Sequence, residues 1–499
     1  MAVEKLKIIR SFSITFCCMT VFISAYSQTT IRHQVIPAVS PDSADVNYYT
    51  STRWRRAVAT VFGINMGVWT FDRYIQKGDF AYISLNTMKE NFRKGLIWDN
   101  DFMGTNMFLH PYHGSLYYNA GRANGLNYWQ SGAVALGGSA MWEFLMECEY
   151  PSTNDIIATP IGGMIIGEVL FRTSDLVLND RKTGNARFGH ELAAFLISPS
   201  RGITRVVNGD AWRKRATRGR LFGTPSVSIE VSVGVRALEF EDPIIDKGLG
   251  LATNISIEYG DRYEADTDKP FDYFSFRTSI NGQASQPLLG QINITGRLYS
   301  TALIDNSKDF LSLGIYQHYD YYDSDTISKV SARVPYKFSA PASVGVGMIH
   351  KSKRFSSWQI DSYLHFNAVL LGAALSDHYV VENRNYNLGS GFSWQSGFSV
   401  AYKDILSVSG SYEAYRIFTW KGYDKNIDWE TVNVKTLDAQ GDHSQAILHA
   451  VSLRADLKLK KRWYLTGIGS NYTRDTNYKY FQNIFSKTYE GRLMLTYEL

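Results

Sequence analysis

The residues best suited to chemistry lie close together in the first half of the chain. They are His110 and His113 in a tight H-P-Y-H segment, then Glu143 and Glu147, then Glu168. A spacing of i, i+4 places Glu143 and Glu147 on one side of a helix expected over Asn127 to Tyr150. Glu168 interrupts an otherwise apolar run. Imidazole and carboxylate are ordinary ligands for zinc or iron, so His110, His113, Glu143 and Glu147 are candidate metal ligands. Together with Glu168 they are also the candidate catalytic groups of an envelope lipid or glycan hydrolase. Their spacing is neither H-E-x-x-H nor the E-x-x-H pair of di-iron bundles, and no particular cofactor follows from it. The competing expectation is that buried Glu and His pair with Arg122, indoles and helix ends to pin a glycine-rich bundle. The sequence favours this structural reading over catalysis.

A nucleophile is harder to find. Ser115, Ser131 and Ser139 fall in helical context, and no G-x-S-x-G occurs. His318, His350, His365, His378, His443 and His449 lie in the second half, where spacing assigns none of them a partner. The basic run Arg213, Lys214, Arg215, Arg218 and Arg220 could hold lipid phosphates, each cation contributing about 1 kcal/mol near an anionic surface. A solvated linker is the equal alternative.

These groups must be positioned by two halves of different hydrophobic period. Up to about residue 220 apolar residues recur at three and four, predicting helices over Trp54 to Lys77, Ser84 to Asp99, Tyr112 to Gly125, Asn127 to Tyr150, Thr153 to Leu178 and His190 to Val207. From Leu221 the alternation has period two: Val227, Ile229, Val231, Val233 and Val235 alternate with Ser228, Glu230, Ser232, Gly234 and Arg236. Roughly a dozen such stretches follow, each about long enough to cross a bilayer as a tilted strand. Tyr259, Tyr273, Tyr299, Tyr319, Tyr321, Tyr402, Tyr412, Tyr464 and Tyr480 fall near their ends, as expected of rings seeking a membrane interface. Tyr489 to Leu499 alternates to the last residue, like the closing strand of an outer-membrane barrel, with Leu where Phe is more usual.

The first 27 residues read as a secretory signal. Lys5, Lys7 and Arg10 precede an apolar segment over Ser11 to Ala25, and Ala25-Tyr26-Ser27 offers small residues for cleavage before Gln28. Beyond the signal a single cysteine, Cys148, is left, so no internal disulfide is expected. The 499 residues carry 52 Lys+Arg against 47 Asp+Glu, a net +5 spread too thinly to suggest nucleic acid as a partner.

The stretch from Trp98 to Glu168 contains W-D-N-D at 98–101, N-x-F-x-H-P-Y-H-G at 106–114, A-G-R-x-N-G-L-N at 120–127, G-S-A-M-W-E at 138–143 and P-S-T-N-D at 151–155. It resembles domain of unknown function 3943, an uncharacterised family seen chiefly in outer-membrane proteins of Gram-negative bacteria. The resemblance implies a location and an architecture and brings no reaction with it. The expected organisation is α+β: signal 1–27, polar linker 28–53, helical domain 54–212 in the periplasm or the barrel lumen, basic linker 213–220, and an antiparallel transmembrane β-barrel of about 12 strands over 221–499. Its expected partners are outer-membrane lipid and, during biogenesis, the barrel-assembly machinery. A structural or binding role in the envelope is the first functional expectation, with a hydrolase or a plugged pore as alternatives.

Overall fold

In a computed structural model, the described residues are 52–240, 249–283, 285–327, 333–353 and 355–499; the expected signal and residues 28–51 of the linker lie outside them. The chain forms two compact units that interleave in sequence. One comprises residues up to Leu96, His110–Pro151 and Thr159–Ser226; the other comprises Ile97–Leu109, Ser152–Ala158 and Val227–Leu499.

The second unit is built on a closed barrel of antiparallel strands: β1 Val227–Glu239, β2 Leu249–Tyr259, β3 Phe274–Gly282, β4 Leu289–Asp305, β5 Asp309–Asp323, β6 Lys337–Ser352, β7 Trp358–Leu375, β8 Tyr386–Tyr402, β9 Leu406–Phe418, β10 Ser444–Lys460, β11 Trp463–Tyr478 and β12 Ile484–Glu498. Each strand pairs with its sequence neighbours, and β12 closes the ring on β1, from Glu230 opposite Glu498 to Glu239 opposite Tyr489. The period-two pattern explains the wall. Val233, Val235, Leu493 and Leu495 face outward and exposed, while Ser232, Arg236, Glu490 and Thr496 between them are buried in the lumen. Closure leaves no edge with unpaired backbone, which a lipid-facing sheet requires.

The two ends of the barrel differ. One carries both barrel termini and the tight connections 306–308, 403–405 and 461–462; the other carries the long connections 324–336, 376–385 and 419–443. Around the tight-turn end the outward aromatics are Trp358 packed on Tyr402 at 4.8 Å and Trp463 on Tyr497 at 4.7 Å; Trp420 and Tyr480 are exposed towards the other end. The expected girdle of strand-end tyrosines is therefore only partly right. Tyr299, Tyr412 and Tyr480 are exposed, but Tyr259, Tyr273, Tyr319 and Tyr321 are buried. Period alone cannot say what else packs on a ring. Tyr319, for example, donates to the Met107 carbonyl at 2.5 Å, and Phe108 lies 6.3 Å from Tyr321.

That contact shows why Ile97–Leu109 joins the barrel's unit although it sits in sequence among the helices. Arg384 donates to the Asp99 carbonyl (2.8 Å), the Asn383 amide to the Asn100 carbonyl (3.1 Å), and Asn106 to the Tyr386 hydroxyl (2.7 Å). Ser152–Ala158 comes with it: the Asp99 amide donates to Asn154 (3.2 Å) and the Thr153 amide to the Ile97 carbonyl (2.7 Å).

The first unit contains the bulk of seven α-helices among the described residues: α1 Trp54–Phe71, α2 Leu85–Lys94, α3 His110–Ala123, α4 Tyr128–Met141, α5 Thr153–Val177, α6 Gly184–Ile197 and α7 Pro199–Val207. The single helix expected over His190 to Val207 is two, because Ser198 leaves the helical conformation and Pro199 starts the next. Glycines let α3 and α5 touch backbone to backbone: a Cβ on Gly114 would lie 1.8 Å from the Thr159 carbonyl oxygen, and one on Gly163 would lie 2.5 Å from Gly114. Helix α5 is long and apolar enough to cross a bilayer, yet most of it is buried and Glu168 sits within it between arginines, as suits a core helix.

Candidate functional site

The helical candidates do not converge. His113 shares a 2.8 Å hydrogen bond with the Tyr117 hydroxyl, which also donates to Asn65, and its ring meets Trp142 edge-on at 5.2 Å. Burial, then the neighbouring His110, push the His113 imidazole down to about 3, so it is neutral at ordinary pH. The alignment expected of Glu143 and Glu147 is broken because α4 gives way at Trp142–Met146 to a π turn and Glu147 is extended. Glu143 is buried and Glu147 half-buried.

Glu168 lies elsewhere. It receives Arg122 through Nε (2.8 Å) and Nη2 (3.1 Å), Arg172 through Nε (2.8 Å) and the Tyr118 hydroxyl (2.7 Å). Burial would raise this carboxyl, but the two guanidiniums outweigh it and hold it below its ordinary value. Among the described residues, His113, Glu143, Glu147 and Glu168 share no group of three closely spaced ligand atoms. Ser115, Ser131 and Ser139 are all buried; Ser115 donates to the Tyr112 carbonyl at 2.6 Å, and Ser131 packs against Gly121 at the α3–α4 crossing.

The basic run divides. Arg215 pairs with Asp210 (2.9 Å) and Asp180 (3.5 Å), and Arg220 donates to the Leu178 carbonyl (3.3 Å) and to that of Leu176. Arg213, Lys214 and Arg218 stay exposed. The carboxylates involved carry no local signal in the chain. Asp180 also takes Arg187 and Arg205, at 2.8 and 2.7 Å, and Asp175 takes Arg201 at 2.5 Å.

The constructed polar site is in the barrel lumen. At the long-connection end the lumen is filled by Tyr322, Phe338, Val369, Tyr415, Ile417, Leu448 and Tyr472 from the wall and by Tyr336 from the β5–β6 connection. The described residues of that connection, 324–327 and 333–336, lie across the mouth. Ile327 packs on Leu238 and Phe240 of the β1 side, Gln286 donates to the Asp325 carbonyl at 2.9 Å, and the Pro335 carbonyl accepts from Arg474 (3.0 Å) and Ser486 (2.7 Å) on β11 and β12.

Beneath this layer lies a cavity of about 430 Å³. Solvent reaches it: the side chains of Arg277, Glu230 and Arg454 are 44%, 33% and 27% exposed, whereas no member of the aromatic layer exceeds 6%. The lining residues with the greatest exposure therefore lie away from the layer, towards the tight-turn end.

Most charges in the cavity are matched. Arg454 meets Glu230 (2.7 Å) and Asp456 (2.8 Å), Arg492 meets Glu490 (2.6 Å), Tyr273 donates to Glu258 (2.8 Å), and Tyr263 donates to Asp361. Glu413 accepts from Tyr415 (2.8 Å) and Tyr322, and Asp320 from Asn293 (2.7 Å) and Gln395 (2.8 Å). Two cations are less engaged. Arg277 reaches Glu413 only at 3.5 Å and otherwise bonds the Tyr363 hydroxyl, and Arg262, 5.2 Å from the Tyr363 ring, has an Nε without an acceptor among the described residues. Ser399, Ser407, Ser409, Ser411, Ser452 and Ser470 line other parts of the wall.

Of the strand histidines, His318 and His365 meet in the lumen at 3.0 Å, a pairing across 47 residues that no local spacing could reveal. His449 instead shares a 2.9 Å bond with Tyr412, and His350 lies 3.6 Å from Asp309.

A closed antiparallel ring with an apolar outer belt, aromatic ends and a charged lumen is a β-barrel of the outer-membrane type. Residues 95–200 match the family model described as Domain of unknown function (DUF3943), as the motifs between Trp98 and Glu168 led one to expect. No curated protein matches the chain in sequence.

Among solved structures, the chain is similar to the CymD monoaromatic hydrocarbon channel (11% identity over 55% of this chain and 89% of that one, TM-score 0.23). It is similar also to the toluene transporter TodX of Pseudomonas putida (10%, 56% and 90%, TM-score 0.22) and to the NanC porin (9%, 54% and 100%, TM-score 0.26). At these identities and scores the solved barrels say nothing about a ligand of this chain.

Proposed function

We propose that the protein is an exported outer-membrane barrel of a Gram-negative envelope, with residues 1–27 cleaved as a signal, insertion by the barrel-assembly machinery, and a binding role performed by the lumen. The observation that carries the binding reading is a solvent-reached, charged cavity that ends blindly against the Tyr322, Tyr415 and Tyr472 layer. A pore needs a continuous aqueous path, and this layer, with the described residues 324–327 and 333–336 beside it, interrupts one.

The ligand that suits the cavity is small, carries a carboxylate or phosphate for the under-engaged guanidiniums of Arg262 and Arg277, and carries hydroxyls for the serine wall. Tyr363 offers a ring face beside both charges. The plugged-pore alternative makes the helices the plug; a pore blocked by the barrel's own aromatic layer would share this geometry.

Planar-bilayer recording decides between them. The wild-type barrel is expected to be silent, and the triple variant Tyr322→Ala, Tyr415→Ala, Tyr472→Ala to conduct. Stepwise conductance from the wild type would replace the cup by a channel.

A further inference from the structure

Helix α7 is folded inside out. Its inward face is Ser200, Arg201, Thr204 and Arg205, all buried, and its outward face is Ile203, Val206 and Val207, which are 43%, 47% and 78% exposed. A helix on a water-soluble unit does the opposite, because apolar area gains by leaving water and charge loses by it.

Neighbouring helices of the same unit are apolar on the outside as well as the inside. Helix α1 buries Ala57, Val61 and Asn65 and exposes Val58 and Phe62, four residues apart; α4 buries Val134, Ala135, Ser131 and Ser139 and exposes Trp129 and Leu136; α6 buries Ala194, Ile197 and Arg187 and exposes Phe188 and Phe195. The buried cations are satisfied inside, Arg201 by Asp175 at 2.5 Å and Arg205 by Glu191 at 2.9 Å.

At one end of this apolar surface two interfacial clusters adjoin. The start of α1 presents Trp54, Arg55 and Arg56, the segment after α7 presents Trp212, Arg213 and Lys214, and all six are exposed. Arg56 donates to Asn208 at 2.9 Å and so ties the two clusters together. Tryptophan beside exposed cations, bordering an apolar face, is the pattern of a segment seated at a lipid headgroup layer.

We infer that the outer surface of α1 and α7 lies against a phospholipid bilayer, with Val58, Phe62, Ile203, Val206 and Val207 in the acyl region and Trp54, Arg55, Arg56, Trp212, Arg213 and Lys214 at anionic headgroups. The inference rests on the outer-membrane reading only in needing a bilayer within reach, and it is independent of what the barrel cavity binds. Of the basic run, Arg215 and Arg220 are engaged within the unit, which leaves Arg213, Lys214 and Arg218 exposed for the lipid-phosphate role, and the cluster beside α7 uses the first two.

The test is nitroxide labelling of the full chain, with Cys17, Cys18 and Cys148 replaced by serine, in nanodiscs of phosphatidylethanolamine and phosphatidylglycerol. Labels at Phe62→Cys and Val207→Cys are compared with Leu493→Cys on the barrel belt and Lys182→Cys on an exposed polar turn. The expected result is an oxygen-over-nickel accessibility ratio at Phe62 and Val207 matching that at Leu493, with a depth of about 5–10 Å.

A ratio matching Lys182 overturns the inference. Low accessibility to both reagents at Phe62 and Val207 also overturns it, since that marks a protein neighbour such as a second copy. The pair Arg213→Glu, Lys214→Glu is expected to shift the Val207 label towards nickel in these discs and not in phosphatidylcholine discs; an equal shift in both would refute the headgroup contact. A Leu493 label that fails to report lipid would instead refute the outer-membrane reading.

Discussion

Replacing Glu168 by Gln tests whether the helical unit is held by its buried ion knot. Glu168 is fully buried, and the side chains of Arg122 and Arg172 are only 11% and 8% exposed. An amide of the same shape keeps the packing but leaves two desolvated guanidiniums facing a neutral group. Breaking a buried pair in this way costs about 3–5 kcal/mol. With a urea dependence of about 2 kcal/mol per molar, the midpoint of helical unfolding is expected to fall by about 1.5–2.5 M.

The assay is urea denaturation of the detergent-folded protein, followed by the helical circular-dichroism band. The pH dependence adds a second constraint. The folded carboxyl lies below its ordinary value, so its stabilisation is fully present above the unfolded value of about 4.3 and is lost as pH falls through the lower folded value. Wild type and variant should therefore converge only in strong acid. The triple change Glu168→Leu, Arg122→Met, Arg172→Met should recover most of the loss, because apolar groups of similar volume replace a buried ion cluster with little penalty. An unchanged midpoint for Glu168→Gln at neutral pH, or an equal loss at every pH, would refute the reasoning.

Gly163→Ala pushes a Cβ to within 2.5 Å of Gly114 and should lower the helical melting transition by about 1–3 kcal/mol, whereas Gly137→Ala, with nothing within 4 Å, should raise it by up to about 1 kcal/mol; calorimetry of the pair checks both signs. His113 is held at about 3 against an ordinary 6.5, so the stability it contributes is present above 6.5 and declines as pH falls towards 3; His113→Gln should flatten the melting temperature between about pH 6 and 4. Deleting Tyr489–Leu499 removes the partners of Glu230–Glu239 in β1 and should abolish the heat-modifiable band on gel electrophoresis. Arg277→Ala should lower retention of glucuronate in equilibrium dialysis at least tenfold, the loss of a charged hydrogen bond of about 1.5–3 kcal/mol, while glucose retention stays unchanged.

The architecture was legible in the chain because periodicity is a local property. Alternation such as Val231-Ser232-Val233-Gly234-Val235 sorts side chains between lipid and lumen whatever the neighbouring strand is, so the barrel half, its dozen strands and its closing segment at Tyr489 could all be read. Recurrence at three and four likewise announced the helices, and Pro199, a visible punctuation, is where the last of them divides in two.

Partnerships across the fold were not legible. Glu168 meets Arg122 46 residues away, His365 meets His318 47 residues away, and Arg384 reaches Asp99 from 285 residues on, pairings fixed by how helices cross and strands register. The i, i+4 alignment of Glu143 and Glu147 failed because one π turn at Trp142–Met146 changes the angle per residue. The same limit hid the inversion of α7: the sequence shows an amphipathic stretch, but only the positions of Asp175, Asp180 and Glu191 decide that its charged side turns inward. Local spacing sets which residues share a face, and the free energy of the whole packed chain sets where that face points.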